Sequence, residues 1–205
     1  MVLNLACIVE GHGEIEAVPV TIRRIAQLLD PAVVVNVLQP FRVPRTKLVK
    51  QGELERAVEL AGRRAGRGGA LVIVLDSDDE CPATLGPELL TRVKRTRSDL
   101  PVSVVLAKRE FEAWFLAAAE SLRGRRDLAS NLESPSEPES IRGAKEWLTA
   151  RMPAGRHYVE TLDQPALAAV FDLELARRAR SFDKFFRDVL SLLESNRRTA
   201  PLPLV

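Results

Sequence analysis

Ten consecutive residues, Leu71-Val72-Ile73-Val74-Leu75-Asp76-Ser77-Asp78-Asp79-Glu80, constrain this chain more than any other stretch. Five apolar residues run straight into acids. An unbroken apolar run of that length suits a strand buried on both faces, as in a parallel sheet covered by helices. Burying carboxylates is costly, so the acids belong where the strand leaves the core. Asp76 and Asp78 are two apart, and on an extended chain both side chains project to the same side. Two carboxylates on one side, at the open end of a parallel sheet, suit Mg²⁺.

The first half of the chain alternates strands and helices around that run. Residues 2–9 read as a strand ending in Glu10-Gly11-His12-Gly13-Glu14, where the glycines permit a tight turn. From Glu14 to Leu29, Ile15, Val18, Ile22, Ile25, Ala26 and Leu29 recur at helical spacing. Residues 33–38 read as a second strand. Residues 39–50 read as a loop because of Pro40 and Pro44, made basic by Arg42, Arg45, Lys47 and Lys50. Leu54, Val58, Ala61 and Ala65 mark a helix that Gly66, Gly68 and Gly69 end. Pro82 and Pro87 are assigned to a loop, residues 88–97 to a short helix and 102–106 to a fourth strand. That strand runs into Lys108-Arg109-Glu110-Phe111-Glu112, where Phe111, Trp114 and Phe115 fit the buried stripe of another helix.

This alternation predicts an α/β fold: about four mainly parallel strands flanked by helices. Residues 1–122 are expected to form that core. Residues 123–140 are assigned to a loop; from Ser130 to Ser140 it is rich in Ser, Pro and Glu and reads as exposed and mobile. Residues 141–205 are assigned to a helical extension packed on the core, with helical patterns at 141–151, 164–178 and 182–194. Asp163 and Ser181 serve as helix starts, and the tail from Pro201 is expected to fray.

In a parallel sheet all strand C-termini lie at one edge, where ligands bind. To that edge the four strands bring Glu10 and Glu14; Arg42, Arg45, Lys47 and Lys50; Asp76, Asp78, Asp79 and Glu80; and Lys108, Arg109, Glu110 and Glu112. Acids that a cation neutralises, beside bases that hold phosphate, are the arrangement phosphoryl chemistry needs.

Glu10-Gly-His-Gly-Glu14 after one strand and Asp76-Ser-Asp78 after a later one resemble the signature of Toprim domains. These occur in topoisomerases, bacterial primases and the overcoming-lysogenization-defect nucleases. The chain more closely resembles a bacterial Toprim-like domain-of-unknown-function family, number four-two-seven-six. That likeness rests on Val9-Glu10-Gly11, Asp76 to Asp79 with Cys81-Pro82, Arg109 to Trp114, and Ser181 to Phe185. The resemblance implies a Toprim-like core with a Mg²⁺ or Mn²⁺ site for phosphodiester or nucleotidyl transfer. Glu10 matches its general acid/base and ligand, Asp76 and Asp78 its metal pair, and Glu14 a second glutamate of the nuclease branch. Glu10, Asp76 and Asp78 are thus the expected catalytic residues, and Glu14 joins them as a metal ligand. Asp79, Glu110 and Glu112 are candidates for a second ion or for support. Arg42, Arg45, Lys47 and Lys108 are the expected phosphate contacts.

Simpler roles stand beside these. Acids at 76–79 also suit a solvated loop, and Glu14 and Glu110 suit the first turn of a helix. His12, His157, Lys145 and the Arg123-Gly124-Arg125-Arg126 run read as surface features, and Trp114 and Trp147 as core anchors. A topoisomerase is disfavoured, because Tyr158 is the only tyrosine and the stretch of 205 residues is short for a DNA gate. An aspartate-nucleophile phosphatase using Asp76 would leave Glu10 without a role.

The expected function is a Mg²⁺-dependent nuclease or a related phosphodiester- or nucleotidyl-transfer enzyme acting on nucleic acid, with phage defence or DNA repair as candidate settings. The alternative is a non-catalytic nucleotide- or metal-binding regulatory partner of a separate ATPase, since the chain has no Gly-Lys-Ser/Thr phosphate loop. A net charge of +2 places any nucleic-acid contact in local clusters rather than in the chain as a whole. Two unpaired cysteines, no signal peptide and no apolar run of spanning length lead to the expectation of a cytoplasmic protein without membrane contact.

Overall fold

The apolar run is buried along its whole length. Ala70 through Leu75 are all inaccessible, and Asp76 emerges at the end. This strand, β4 (Ala70–Asp76), is the third position of a sheet in a computed structural model that describes residues 2–31 and 33–199. The sheet has five strands: β1 (Leu3–Val9), β2 (Val35–Val37), β3 (Phe41–Arg42), β4 and β5 (Val102–Ala107). All pairings are parallel, in the order β2-β1-β4-β5. β3 also pairs with β1, further along the edge that β2 occupies. The register sets Val9 beside Val74 and Asp76 beside Ala107.

Both faces of the sheet are covered, which is why its central strands β1 and β4 are apolar except for Asn4 and the terminal Asp76. On one face lie α3 (Glu53–Ala65) and α4 (Pro82–Thr96), with Leu54, Val58, Leu89 and Val93 against Ile8 and Ile73. On the other lie α1 (Glu14–Leu29), α5 (Ala113–Ala117), α7 (Glu160–Ala168) and α9 (Arg180–Thr199). The second core is continuous from Leu3 to Leu193, so the C-terminal helices complete the same layer that α1 begins. Its centre is aromatic. Trp114 packs on Phe111, Phe182 and Phe185 with ring centroids 4.4–5.1 Å apart, and its indole N–H donates to Ser181 Oγ at 2.9 Å. A buried indole needs such a partner.

Several local expectations are corrected. The basic stretch 39–50 holds β3 and a short α2 (Arg45–Leu48). Its prolines sit outside both, Pro44 directly before α2. Residues 82–96 form one helix. Pro82 occupies its first turn, where no N–H is needed, and the buried stripe of Leu89 and Val93 outweighs the bond lost at Pro87. The loop at 130–140 is packed rather than simply exposed, with Leu132 and Pro138 buried. The pattern at 164–178 splits into α7 and α8 (Leu173–Ala176), the latter capped by Asp172 accepting from the Glu174 and Leu175 N–H groups. Asp163 does not begin a helix. It lies inside α7, fully buried, paired with Arg126 at 2.8 Å and Arg156 at 2.6 Å. The remaining pattern, at 141–151, contains α6 (Ala144–Thr149). The tail from Pro201 lies outside the described residues. No helix among those residues is long and apolar enough to cross a membrane.

Candidate functional site

The chain passes from β1 to β2 and β3 on one side and to β4 and β5 on the other. The loops after β1 and β4 therefore diverge, which opens a crevice at the carboxyl edge of the sheet. A cavity of about 280 Å³ lies there, lined by Glu10, Glu14, Asp76, Arg42, Lys145 and Glu160, with His12 exposed at its side.

Glu10 is the first residue after β1. Its side chain reaches across to β4, where the Asp76 N–H donates to Glu10 Oε2 at 3.3 Å. Asp76 Oδ1 in turn accepts the Phe111 N–H at 2.8 Å. Glu14 opens α1 and is 2% exposed; its Oε2 accepts the N–H groups of Glu10 at 2.9 Å and Gly11 at 3.1 Å. Behind these acids Glu112 is fully buried. Tyr158 Oη donates to its Oε1 at 2.9 Å and Gln164 Nε2 at 3.2 Å, while Oε2 has no partner among the described residues.

Four acids in so small a volume repel one another. Burial pushes the Glu14 carboxyl up to about 8, with Glu112 and Glu10 adding to it against the two N–H bonds. Burial likewise raises Glu112 to about 7. Asp76 is held well above the usual carboxylate range by burial and then by Glu14, Glu112 and Glu10. Glu10 is raised by burial and by Asp78. One lysine works against this. Burial alone would lower the Lys145 ammonium, but Glu112, Glu160 and Asp76 outweigh it and raise it above the ordinary lysine value. Lys145 Nζ lies 3.0 Å from Glu160 Oε2, and Glu160 Oε1 accepts the Gly13 N–H at 3.1 Å.

Glu10, Glu14, Asp76 and Arg42 of the expected residues thus share the cavity. Others do not. The strand ends at Asp76, and Asp78 has a left-handed φ of 49°, so the two-residue alternation that would align them breaks down. Asp78 instead pairs with Arg45 at 2.7 Å, and Glu80 with the same arginine at 3.0 Å. Asp79 is held by Arg109 and by Arg142. Glu110 accepts the N–H groups of Gly143 and Ala144, which caps α6. Lys47 is exposed on α2, and Lys108 lines a different cavity. Among the described residues no three His, Cys, Asp or Glu side chains are placed to hold one metal ion together.

Lys145 and Glu160 are the site residues that sequence reasoning missed; Lys145 read as a surface residue and Glu160 carried no signal. An indirect signal was present in Gly11 and Gly13. A Cβ at Gly13 would lie 2.2 Å from Gln164 Oε1 and 2.6 Å from the Glu160 carbonyl oxygen. A Cβ at Gly11 would lie 2.6 Å from Glu160 Oε1. These glycines serve close approach as well as a turn: they let the start of α7 press onto the β1–α1 loop and bring Glu160 into the cavity.

Fold and site together define a doubly wound, all-parallel α/β protein with an acid-lined crevice at its switch point. The chain belongs to the family described as Domain of unknown function (DUF4276), which matches residues 9–190. A search of curated proteins and a search of solved structures each return no match.

Proposed function

We propose that this protein is a Mg²⁺-dependent phosphodiester-processing enzyme, a nuclease acting on nucleic acid, on a core related to the Toprim domains. The observation that carries this reading is the meeting of Glu10 and Asp76, 66 residues apart in sequence, in one cavity beside Lys145 and Arg42. An acid cluster with a single buried-side lysine favours an added cation. The donors are hard carboxylate oxygens, and Glu10 and Asp76 are a pair rather than a cage. Mg²⁺ is the ion suited to that, because it takes one or two carboxylates and completes its shell with water and substrate phosphate. Mn²⁺ accepts similar ligands. When bound, the ion supplies the charge that polarises a phosphate and activates water.

The protein's own groups do the rest. Lys145 and Arg42, which both line the cavity, hold the phosphate charge. Glu10, whose carboxyl is raised by burial, is suited to take or give a proton at the attacking or leaving oxygen. Glu14 holds the Glu10–Gly11 backbone and so fixes where the Glu10 side chain starts. Arg45, Arg109 and Arg142, now paired with Asp78 and Asp79, form a basic margin for the flanking substrate backbone.

The test is cleavage of single-stranded DNA, duplex DNA and RNA with Mg²⁺, Mn²⁺ or a chelator. Asp76→Asn and Glu10→Gln are expected to abolish ion-dependent cleavage while the protein melts as a folded species. Wild-type rates in either variant, or no cleavage of any of these substrates by the parent, would overturn the reading.

A further inference from the structure

A second cavity, of about 520 Å³, lies at the outer side of β5 between α4 and α9. Its character is opposite to that of the acid crevice. Pro87, Leu90, Val104 and Leu106 give it aliphatic walls. Lys108, Arg180 and Lys184 also line it. Lys184 is paired with Asp188, and the carboxylate in the lining, Glu139, already accepts the Ser181 N–H at 2.8 Å. Lys108 and Arg180 have no ion-pair partner among the described residues. An aliphatic chamber with a few convergent polar groups is the usual form of a small-molecule site.

Gly86 supplies a second, independent observation. It sits inside α4, where glycine is disfavoured relative to alanine because it loses more backbone freedom. No steric demand explains it, since a Cβ there would meet only Leu106 Cδ1, at an ordinary 3.9 Å. What the missing side chain leaves is open space in the cavity wall. No aromatic ring of the described residues lines it, so its walls offer aliphatic contact rather than an aromatic stacking platform.

We propose that this cavity binds a small amphipathic anion, a carboxylate or phosphate head on an aliphatic body. The body lies against Leu90, Val104, Leu106 and the open face of Gly86, and the head is held by Lys108 and Arg180. The site is separate from the acid crevice, and its occupancy requires no divalent ion.

Exposed Cys81 lines the same cavity, whereas Cys7 is fully buried, so a thiol-reactive fluorophore reports on this place alone. The full-length protein is labelled in chelator with octanoate, octyl phosphate or neutral 1-octanol present. Both anions are expected to slow Cys81 labelling and 1-octanol to do so at about tenfold higher concentration, the worth of one charge-assisted contact. Gly86→Leu puts a four-carbon side chain into the open wall beside Leu106 and improves the helix; it is expected to weaken protection at an unchanged or higher melting temperature. Arg180→Ala is expected to weaken protection by the anions and leave that by 1-octanol unaltered. Labelling that neither anion slows, or equal protection in Gly86→Leu, overturns the proposal. Protection by octanoate alone, or by octyl phosphate alone, upholds it and identifies the head group.

Discussion

Glu14→Gln should make the metal-free protein more stable. Both N–H groups that reach Glu14 donate to the same oxygen, Oε2. A glutamine carbonyl can accept both, so the substitution removes the ionisable group and keeps the bonds. Burial lifts the Glu14 carboxyl from its ordinary 4.5 to about 8, with Glu112 and Glu10 adding to it. The folded protein therefore retains a proton that the unfolded chain gives up. For this group stability is greatest below 4.5, declines as pH rises towards 8, and has lost its full share above that. At pH 7 the distance from 4.5, at about 1.4 kcal/mol per pH unit, gives an upper bound of about 3.5 kcal/mol. The same repulsion is shared with Glu10, Asp76 and Glu112, so a gain of about 1–3 kcal/mol is expected. The assay is urea denaturation of parent and variant in chelator at several values between about pH 5 and pH 8. The variant's advantage should grow across that range and its own curve should be shallower. A variant less stable than the parent at the alkaline end, or a parent indifferent to pH, would refute the account of this cluster.

Added Mg²⁺ should raise the melting temperature of the parent and do so less in Asp76→Asn, since a ligand of the folded state alone stabilises by mass action; equal shifts would count against Asp76 as a donor. Gly13→Ala should lose about 2–4 kcal/mol, because neither the Glu160 carbonyl at 2.6 Å nor the helix behind it can give way. A thermal melt within a degree of the parent would show that α7 sits further off. Asp163→Asn leaves Arg126 and Arg156 without their shared carboxylate and should cost about 3 kcal/mol in chemical denaturation; a neutral result would mean that both arginines find water instead.

The sheet was legible because its signal is strong and local. An apolar run ending in acids admits few readings, and β4 with its neighbours follows from it. The helical stripe of Leu54, Val58, Ala61 and Ala65 was equally plain. What escaped depended on tertiary context. Pro87 reads as a breaker, yet α4 runs through it because packing decides. Asp78 pairs with Asp76 on paper only while the chain stays extended, and one left-handed residue ends that. Lys145 and Glu160 enter the crevice from α6 and α7, and no spacing in the sequence connects them to Glu10. The acids of the first and third strand–helix units were visible; the cation and carboxylate delivered from the far end of the chain were not.

Phe182 and Phe185 close the aromatic cluster begun by Phe111 and Trp114, and they arrive 68 and 71 positions after Trp114 in the chain. A ribosome adds about 5–20 residues each second. For several seconds, then, the emerging polypeptide presents a bare greasy surface whose cover has not yet been made. Its sheet can form early, but the side that carries Trp114 must wait for the last helix to leave the exit tunnel. Any fusion or truncation that removes α9 would leave that surface permanently open to chaperones and to aggregation.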